Sequence, residues 1–196
     1  MLIDHYDKLK RGGDFMKKTS QHIYVRTLTE NDAESLLTLE LENRLYFQQF
    51  TPLVKDDFFV LSYQIARIKR SIQRCAQDEA YMHGIFLNET DTLVGTISLS
   101  SVERGPIEGA WLGYVLDQKQ GGNGYMTEAI RLIIDYAFYE LHLHRIEAGV
   151  KPANIASIRV LEKTGFVNEG LNRKKVKING VWEDHYLFAM IHPDES

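Results

Sequence analysis

The stretch QGGNGYMTEA, residues 120–129, places three glycines and an asparagine within five positions and then changes to good helix formers. Glycines let successive backbone N–H groups approach a ligand without a Cβ in the way. The N-terminus of the following helix adds N–H groups and the positive end of its dipole. This combination predicts a binding loop for an anion, most simply a phosphate. A glycine-rich turn that only links a strand to a helix is the alternative.

The segments before this loop predict strands and two helices. Residues 22–28 alternate like a half-buried strand. Thr29 and Asp32 resemble a capping box, followed by a helix with Leu36, Leu37 and Leu41 on one face. A second helix is predicted over about 57–77 from apolar residues spaced three and four apart. Extended segments at about 81–87, 93–100 and 110–116, separated by turn sequences, predict an antiparallel meander.

The segments after the loop complete the pattern. We predict a helix over about 125–141, a strand over 145–150, a helix over 155–164 and a hairpin around Asn179-Gly180. The order is β-α-α-β-β-β-α-β-α-β-β. It predicts an α/β (α+β) domain whose mixed, mostly antiparallel sheet has about seven strands flanked by about four helices.

Composition narrows the class of protein. With 196 residues, 44% of them apolar, the chain is most simply one domain, and its net charge of −4 argues against a dedicated nucleic-acid binder. The single cysteine, Cys75, excludes an internal disulfide and fits a reducing compartment. No apolar run is long enough to span a membrane. We therefore predict a cytoplasmic domain over residues 16–196, preceded over residues 1–15 by a leader that is non-native or disordered.

Three kinds of phosphate loop compete for residues 119–124. A nucleoside-triphosphate P-loop needs Gly-Lys-Ser/Thr at the start of the helix, and here Tyr125 and Met126 follow Gly124. A dinucleotide fingerprint would have a third glycine where Thr127 stands. The third kind binds the pyrophosphate of coenzyme A.

The sequence GYVLDQKQGGNGYMTEAI, residues 113–130, resembles the acetyl-CoA loop of the GNAT superfamily of N-acyltransferases. The superfamily pattern is Gln/Arg-x-x-Gly-x-Gly/Ala. Gly122 and Gly124 fill its glycine positions, and Lys119 stands where Gln or Arg is usual. The later stretch NIASIRVLEKTGF, residues 154–166, resembles a second motif of the superfamily. The resemblance extends from about Ile23 to Met190. Its short motifs are similar to those of the branch that acetylates the N-termini of ribosomal proteins at alanine or serine.

This resemblance implies acetyl-CoA as the cofactor and direct transfer of its acetyl group to an amine, with coenzyme A as product. Strand residues before the loop would pair with the pantetheine amides, the loop amides would bind the pyrophosphate, a strand N–H near Val115 would stabilise the oxyanion, and Asn154 would add a side-chain hydrogen bond. The cofactor-binding residues implied are Tyr114, Val115, Leu116, Lys119, Gln120, Gly121, Gly122, Asn123, Gly124, Tyr125 and Asn154.

Proton transfer is where the chain departs from its relatives. The superfamily often has a tyrosine that protonates the leaving thiolate, and Leu161 occupies that position. In the resembling branch a serine has this role, and Ser157 occupies its place, with a helix N-cap as the alternative. Some members use a glutamate as general base where Val176 stands here. The base is therefore unassigned, with solvent or a carboxylate of Glu108, Glu183 or Asp184 as options.

The acceptor would enter beside the loop at residues 43–54 and the last hairpin. Tyr46, Phe47 and Phe50 are the candidate substrate-binding residues, with core packing as the alternative. We expect a protein N-terminus, such as that of a ribosomal protein, as acceptor. A small amine (a polyamine, an amino sugar or an amino-acid-like toxin) and a non-catalytic acyl-CoA-binding module are the alternatives. No metal site is assigned, and a homodimer is left open.

Overall fold

Within residues 16–195, which the computed structural model describes, the strands form one eight-stranded sheet. The predicted leader over residues 1–15 lies outside the described residues. The strands are β1 (Lys17–Thr19), β2 (Ile23–Thr27), β3 (Tyr81–Leu87), β4 (Leu93–Glu103), β5 (Gly109–Leu116), β6 (Arg145–Val150), β7 (Val167–Ile178) and β8 (Val181–Ile191).

Helices connect these strands as the sequence predicts, with one addition. In the described part of the chain they are α1 (Ala33–Glu42), α2 (Arg44–Phe47), α3 (Leu61–Ala76), α4 (Tyr125–Tyr139) and α5 (Ile155–Lys163). The addition is α2, a single turn within the predicted acceptor loop. Short 3₁₀ segments cover Glu30–Asp32, Asp56–Phe59, Gln118–Gln120 and Pro193–Glu195.

The sheet has the strand order β1-β2-β3-β4-β5-β6-β8-β7. Its neighbouring strands are antiparallel except β5 and β6, which are parallel and joined through α4. The predicted mixed, mostly antiparallel α/β fold is therefore confirmed. The count of about seven strands misses β1, which has only three residues and is too short and too polar to give a periodic signal.

The apolar side chains divide between the two faces of the sheet because successive residues of a strand point to opposite sides. On β2, Ile23 and Val25 belong to a cluster that includes the inner face of α4, while Tyr24 belongs to a second cluster with residues of α1 and α3. The predicted inner face of the first helix needs correction. Leu36 is buried, but Leu41 is exposed and Leu39 is buried in its place.

The sheet opens between its two parallel strands. Strand β5 continues to Leu116 and β6 to Val150, yet they pair only where Gly109–Trp111 lies beside Arg145–Glu147. From Leu112 and Ala148 onward, the two strands line a cavity instead of pairing with each other. The fold thus leaves a gap in the sheet directly before the glycine loop.

Candidate active site

One cavity of about 770 Å³ runs through this opening. At one end it is lined by the glycine loop and the first turn of α4, including Gly122 and Gly124. At the other end it is lined by residues of the segment 43–54 after α1, including Phe47, which we call the aromatic loop. The exposed edges of β5 and β6 lie between the two ends, so a ligand on the glycine loop and a second ligand at the aromatic loop would meet in the gap.

The hydrogen-bonding direction of β5 decides which of its amides face the opening. The N–H of Asp117 donates to the carbonyl of Val94 on the β4 side, and the Ser98 hydroxyl donates to the carbonyl of Gly113. Because N–H and C=O groups alternate sides along a strand, Val115 also faces β4. The N–H groups of Tyr114 and Leu116 face the opening. The predicted oxyanion donor near Val115 would therefore be the N–H of Tyr114 or Leu116.

The glycine loop has the backbone that its sequence demands. Gly122 and Gly124 have φ angles of 86° and 83°, in the left-handed region that other residues rarely adopt. Gly124 is the N-cap of α4 and lies in the wall of the cavity with Gly121, Gly122 and Tyr125. The N–H groups at the start of the helix have no partner within it, so they are available to an anion.

Not every loop amide is available. The N–H of Lys119 donates to the Asp117 carboxylate at 3.1 Å, that of Gln120 to the Asp117 carbonyl at 2.9 Å, and that of Gly121 to the carbonyl of Gln118 at 3.2 Å. These bonds form the 3₁₀ turn that precedes the loop. The amides without such a bond begin at Gly122, which shortens the predicted anion site at its N-terminal end.

Three of the predicted cofactor residues lie outside the cavity wall. These are Lys119, Gln120 and Asn123. The Lys119 ammonium bonds the Glu42 carboxylate at 2.6 Å, and this bond raises the pKa of Lys119. The Asn123 side chain donates to the Gln120 carbonyl at 3.3 Å.

Two hydroxyl groups meet beside the opening. The hydroxyls of Tyr114 on β5 and Ser157 on α5 lie 2.8 Å apart, and both residues line the cavity. Burial raises the pKa of Tyr114 to about 12, although the bond to Ser157 opposes this shift, so the phenol stays protonated at neutral pH. Asn154 is the N-cap of α5, and its Oδ1 accepts the N–H of Ser157 at 3.2 Å. Ser157 is therefore not the helix cap, which was the alternative to a chemical role.

The predicted aromatic residues lie together at the other end of the cavity. The ring centroid of Tyr46 lies 6.0 Å from that of Phe47 and 5.9 Å from that of Phe50, and all three residues line the cavity. Phe47 is also part of the core, so both interpretations apply to it. The Asn179 side chain at the tip of the last hairpin donates to the carbonyl of Gln48 at 3.1 Å. The loop and the hairpin are thus joined, as the expected acceptor entrance requires.

Charged side chains at this end are paired. The buried carboxylate of Glu40 accepts a bond from Arg67 at 2.7 Å, and both residues line the cavity. The carboxylates considered as general bases are engaged elsewhere. Glu183 pairs with Lys151 at 2.7 Å, and Asp184 accepts the N–H of Lys174 at 2.8 Å. Glu108 accepts bonds from Arg104 and from the Gly105 N–H at the far end of β5.

Two of the polar side chains in the cavity wall that the sequence does not reveal bear on the chemistry. The Tyr114 hydroxyl is one of them, because the expected role of that strand is a backbone role. His185 lines the cavity from β8, and its position two residues after Glu183 offers no motif that would reveal it. Cys75 lies outside the cavity wall, and burial raises the pKa of its thiol to about 11, which disfavours a thiolate nucleophile.

A glycine loop at a helix N-terminus and a gap between parallel strands, joined by one cavity, fit an enzyme that brings two substrates together for group transfer. The chain matches the family profile described as an acetyltransferase (GNAT) domain over residues 22–167. The chain belongs to the GNAT acetyltransferase family. It is an acetyl-CoA-dependent N-acetyltransferase, and acetyl-CoA is its acetyl donor.

Three similar proteins refine this placement. The chain is 52% identical to the Bacillus subtilis protein named probable N-acetyltransferase YjcK, over 89% of this chain and 96% of that protein. It is 31% identical to the Escherichia coli [ribosomal protein uS5]-alanine N-acetyltransferase, over 91% and 92% of the two chains. The solved ribosomal-protein-S5-alanine acetyltransferase of Vibrio fischeri superposes with a TM-score of 0.88 at 30% identity, covering 92% of this chain and 99% of that one.

Two further findings concern the described residues alone. Among residues 16–195, no helix is long and apolar enough to cross a membrane. The same residues contain no group of three or more histidine, cysteine, aspartate or glutamate side chains arranged to hold a metal ion.

Proposed function

We propose that this enzyme acetylates the N-terminal α-amine of a protein, with ribosomal proteins that begin with alanine or serine as the leading candidates. One observation carries the proposal: a single cavity joins the glycine loop to the aromatic loop through the gap between β5 and β6. A peptide terminus can enter such a gap end-on from the side opposite the cofactor. The similarity to two ribosomal-protein-alanine acetyltransferases along nearly the whole chain supports this choice of acceptor.

In this proposal the cofactor lies along the glycine loop and the edge of β5. The amides from Gly122 onward and the N-terminus of α4 hold the pyrophosphate. The pantetheine arm extends into the gap and bonds the outward-facing backbone of Tyr114 and Leu116, as an added strand would. The Asn154 side chain, whose Oδ1 already caps α5, retains its amide N–H groups as donors to the arm.

The chemistry is direct attack of the amine nitrogen on the thioester carbon. An N–H of β5 that faces the gap stabilises the oxyanion, a contribution of about 3–4 kcal/mol where a single donor of this kind has been removed from other enzymes. Ser157 donates a hydrogen bond to the sulfur as the C–S bond breaks. Tyr114 supports it by donating to Ser157 Oγ at 2.8 Å, which leaves the serine hydrogen to point at the sulfur.

The acidity of the acceptor also favours an α-amine. A peptide α-amine has a pKa near 7.8, so about a quarter or less of it is neutral at physiological pH, whereas a lysine amine near 10.4 is about one part in a thousand neutral. The site lacks the glutamate base of some relatives, since Val176 stands at that position. An acceptor that is already partly neutral depends less on a strong base.

The proposal is tested by measuring thiol release from acetyl-CoA with three sets of acceptors. These are peptides that begin with alanine or serine, the same peptides blocked at the N-terminus but carrying an internal lysine, and a panel of polyamines, amino sugars and amino acids. We expect turnover with the unblocked peptides alone. Turnover confined to small amines would contradict the α-amine proposal and identify the alternative acceptor class.

A further inference from the structure

His185 on β8 is a buried histidine in the cavity wall that the steps described above do not use; it is 6% exposed. Its Nδ1 lies 3.3 Å from the backbone carbonyl of Glu183. Because a carbonyl can only accept, this contact favours the tautomer that carries the hydrogen on Nδ1, which leaves the lone pair of the neutral ring on Nε2.

The Nε2 atom keeps contact with open space. Within residues 16–195, no polar group bonds this Nε2. Among the same residues, the one side-chain N or O atom that is both fully buried and without a partner is Nε2 of His83, so Nε2 of His185 is not fully buried. His185 is part of the cavity wall, so an exposed Nε2 can reach the cavity. The ring can therefore offer a hydrogen-bond acceptor to a substrate.

Strand register places this ring on the acceptor side of the gap. Gly149 is opposite Leu187, and His185, two residues before Leu187, shares their face of the sheet. A Cβ built on Gly149 would lie 3.9 Å from Cδ2 of His185, the ring carbon bonded to Nε2. Trp111 and Gly113 follow on the same face of β5, whereas Tyr114 faces the opposite side toward Ser157.

Glycines leave room for the acceptor on this face. Gly113 and Gly149 border the gap and carry no side chain that would fill it. The Trp111 ring also reaches this place, since its Cζ3 would lie 3.7 Å from a Cβ on Gly149. An amine that approaches the thioester from the side opposite Ser157 therefore meets that ring and the Cδ2–Nε2 edge of His185.

We propose that His185 is the general base of the reaction, a role that rests on the proposed amine acetylation. As the amine nitrogen bonds to the carbonyl carbon, its excess proton passes to Nε2. The C–S bond then breaks while the Ser157 hydroxyl donates a hydrogen bond to the leaving sulfur. Solvent afterwards removes the proton from His185 and protonates the thiolate, so the cycle balances without another reactant.

The charged groups near the ring are an ion pair and a lysine that lies over an aromatic ring. Lys151 and Glu183 form a pair at 2.7 Å on this side of the sheet, and Lys175 on β7 lies 5.7 Å from the Trp111 ring centroid. Glu40 and Arg67 form the pair on the helical side of the cavity.

The test is His185→Asn, which keeps a donor at the Nδ1 position for the Glu183 carbonyl and removes Nε2. We expect kcat to fall about 10²-fold or more, with the affinity for coenzyme A within twofold of wild type. In wild type, kcat should rise with pH as the base ionises. The pH profile of His185→Asn should lack this ionisation. His142→Asn is the matched control, because His142 is exposed and lies outside the cavity wall, and it should keep full activity.

A second variant and a spectrum complete the test. His185→Ala should regain activity when imidazole is added. The ¹⁵N spectrum of the histidine rings of the wild-type protein should assign the Nδ1–H form to His185, whatever the acceptor is. The proposal is overturned if His185→Asn keeps kcat within threefold, if it keeps the wild-type pH dependence, if imidazole restores nothing, or if the ring carries its hydrogen on Nε2. All these assays use whichever acceptor gives the most thiol release. If the enzyme does not acetylate the peptides, that result contradicts the α-amine proposal and not the role of His185.

Discussion

The side chain of Asn43 joins the end of α1 to the start of the cofactor loop. Its Oδ1 accepts the N–H of Gln118 at 2.9 Å, and its Nδ2 donates to the carbonyl of Leu39 at 3.0 Å. Asn43 is 3% exposed, so both bonds are sheltered from water. The aromatic loop begins at Asn43 and the glycine loop follows Gln118, so this one amide links the two ends of the cavity.

We expect Asn43→Ala to lower both stability and cofactor affinity. The change leaves the Gln118 N–H without its partner, whereas the Leu39 carbonyl keeps the bond from the backbone N–H of residue 43. An unsatisfied buried group costs about 1–3 kcal/mol. Urea unfolding measures the stability, and calorimetry measures the affinity for coenzyme A. Asn168→Ala serves as the control, because it removes one exposed bond from the Gly170 N–H and should cost less than about 1 kcal/mol. Equal losses in the two variants would contradict a linking role for Asn43.

The backbone at Gly122 gives a test of the anion loop. Gly122 has φ 86°, and none of the described residues has an atom within 4 Å of the place where its Cβ would stand, so Gly122→Ala meets no steric obstacle from residues 16–195. The left-handed conformation should still cost about 1–2 kcal/mol for alanine. If this residue contacts the pyrophosphate, affinity for coenzyme A should fall at least about tenfold, as measured by calorimetry.

Gly105 provides the matched control for this prediction. It lies in the β4–β5 turn outside the cavity wall, with φ 76° and nothing within 4 Å of its Cβ position. Gly105→Ala should therefore lose similar stability and keep the affinity for coenzyme A. A parallel fall in affinity for both variants would assign the effect to general destabilisation.

The Tyr114–Ser157 pair predicts a pattern of non-additive losses. Ser157→Ala should lower kcat about 10²-fold with little change in the affinity for coenzyme A, because the hydroxyl acts on the leaving sulfur. Tyr114→Phe should lower kcat about tenfold, because it only orients Ser157. The double variant should be no slower than Ser157→Ala, since the tyrosine then has nothing to orient. Steady-state thiol release checks this, and multiplied losses would show that the hydroxyls act independently.

The sequence predicts local features of this fold better than long-range ones. The hairpin at Asn179-Gly180 follows from a dipeptide, and both residues have the positive φ angles, 48° and 83°, of its turn. The glycine loop before α4 is equally local. The gap between β5 and β6 is not predictable in this way, because both strands keep strand-like sequences past the point where their pairing ends.

The candidate site shows the same division. The Tyr114–Ser157 contact joins residues 43 positions apart, and only the packing of α5 on the sheet brings them together. The N-cap of α5 is harder to assign from the sequence, because both Asn154 and Ser157 are good capping residues. The choice depends on where the helix begins, which the sequence determines only to within a few residues.

A buried histidine outside the site predicts how stability depends on pH. His83 on β3 is 1% exposed, its Nε2 has no hydrogen-bond partner in the described part of the chain, and burial lowers its pKa to about 3 from an ordinary value of 6.5. Between these two values the unfolded chain binds a proton that the folded chain does not. Stability is therefore complete above pH 6.5 and falls as the pH drops toward 3, by up to about 1.4 kcal/mol per pH unit from this residue.

Replacing this histidine should remove its share of the acid sensitivity. His83→Phe keeps an aromatic ring near Tyr136, whose centroid lies 5.9 Å from that of His83, and removes the titrating group. Urea unfolding of both proteins at several pH values between 4 and 7 measures the free energy of unfolding. We expect the wild-type slope against pH to be steeper than that of His83→Phe throughout this range. His142→Asn, which changes an exposed histidine, should keep the wild-type slope, and equal slopes for wild type and His83→Phe would show that His83 takes up a proton without unfolding.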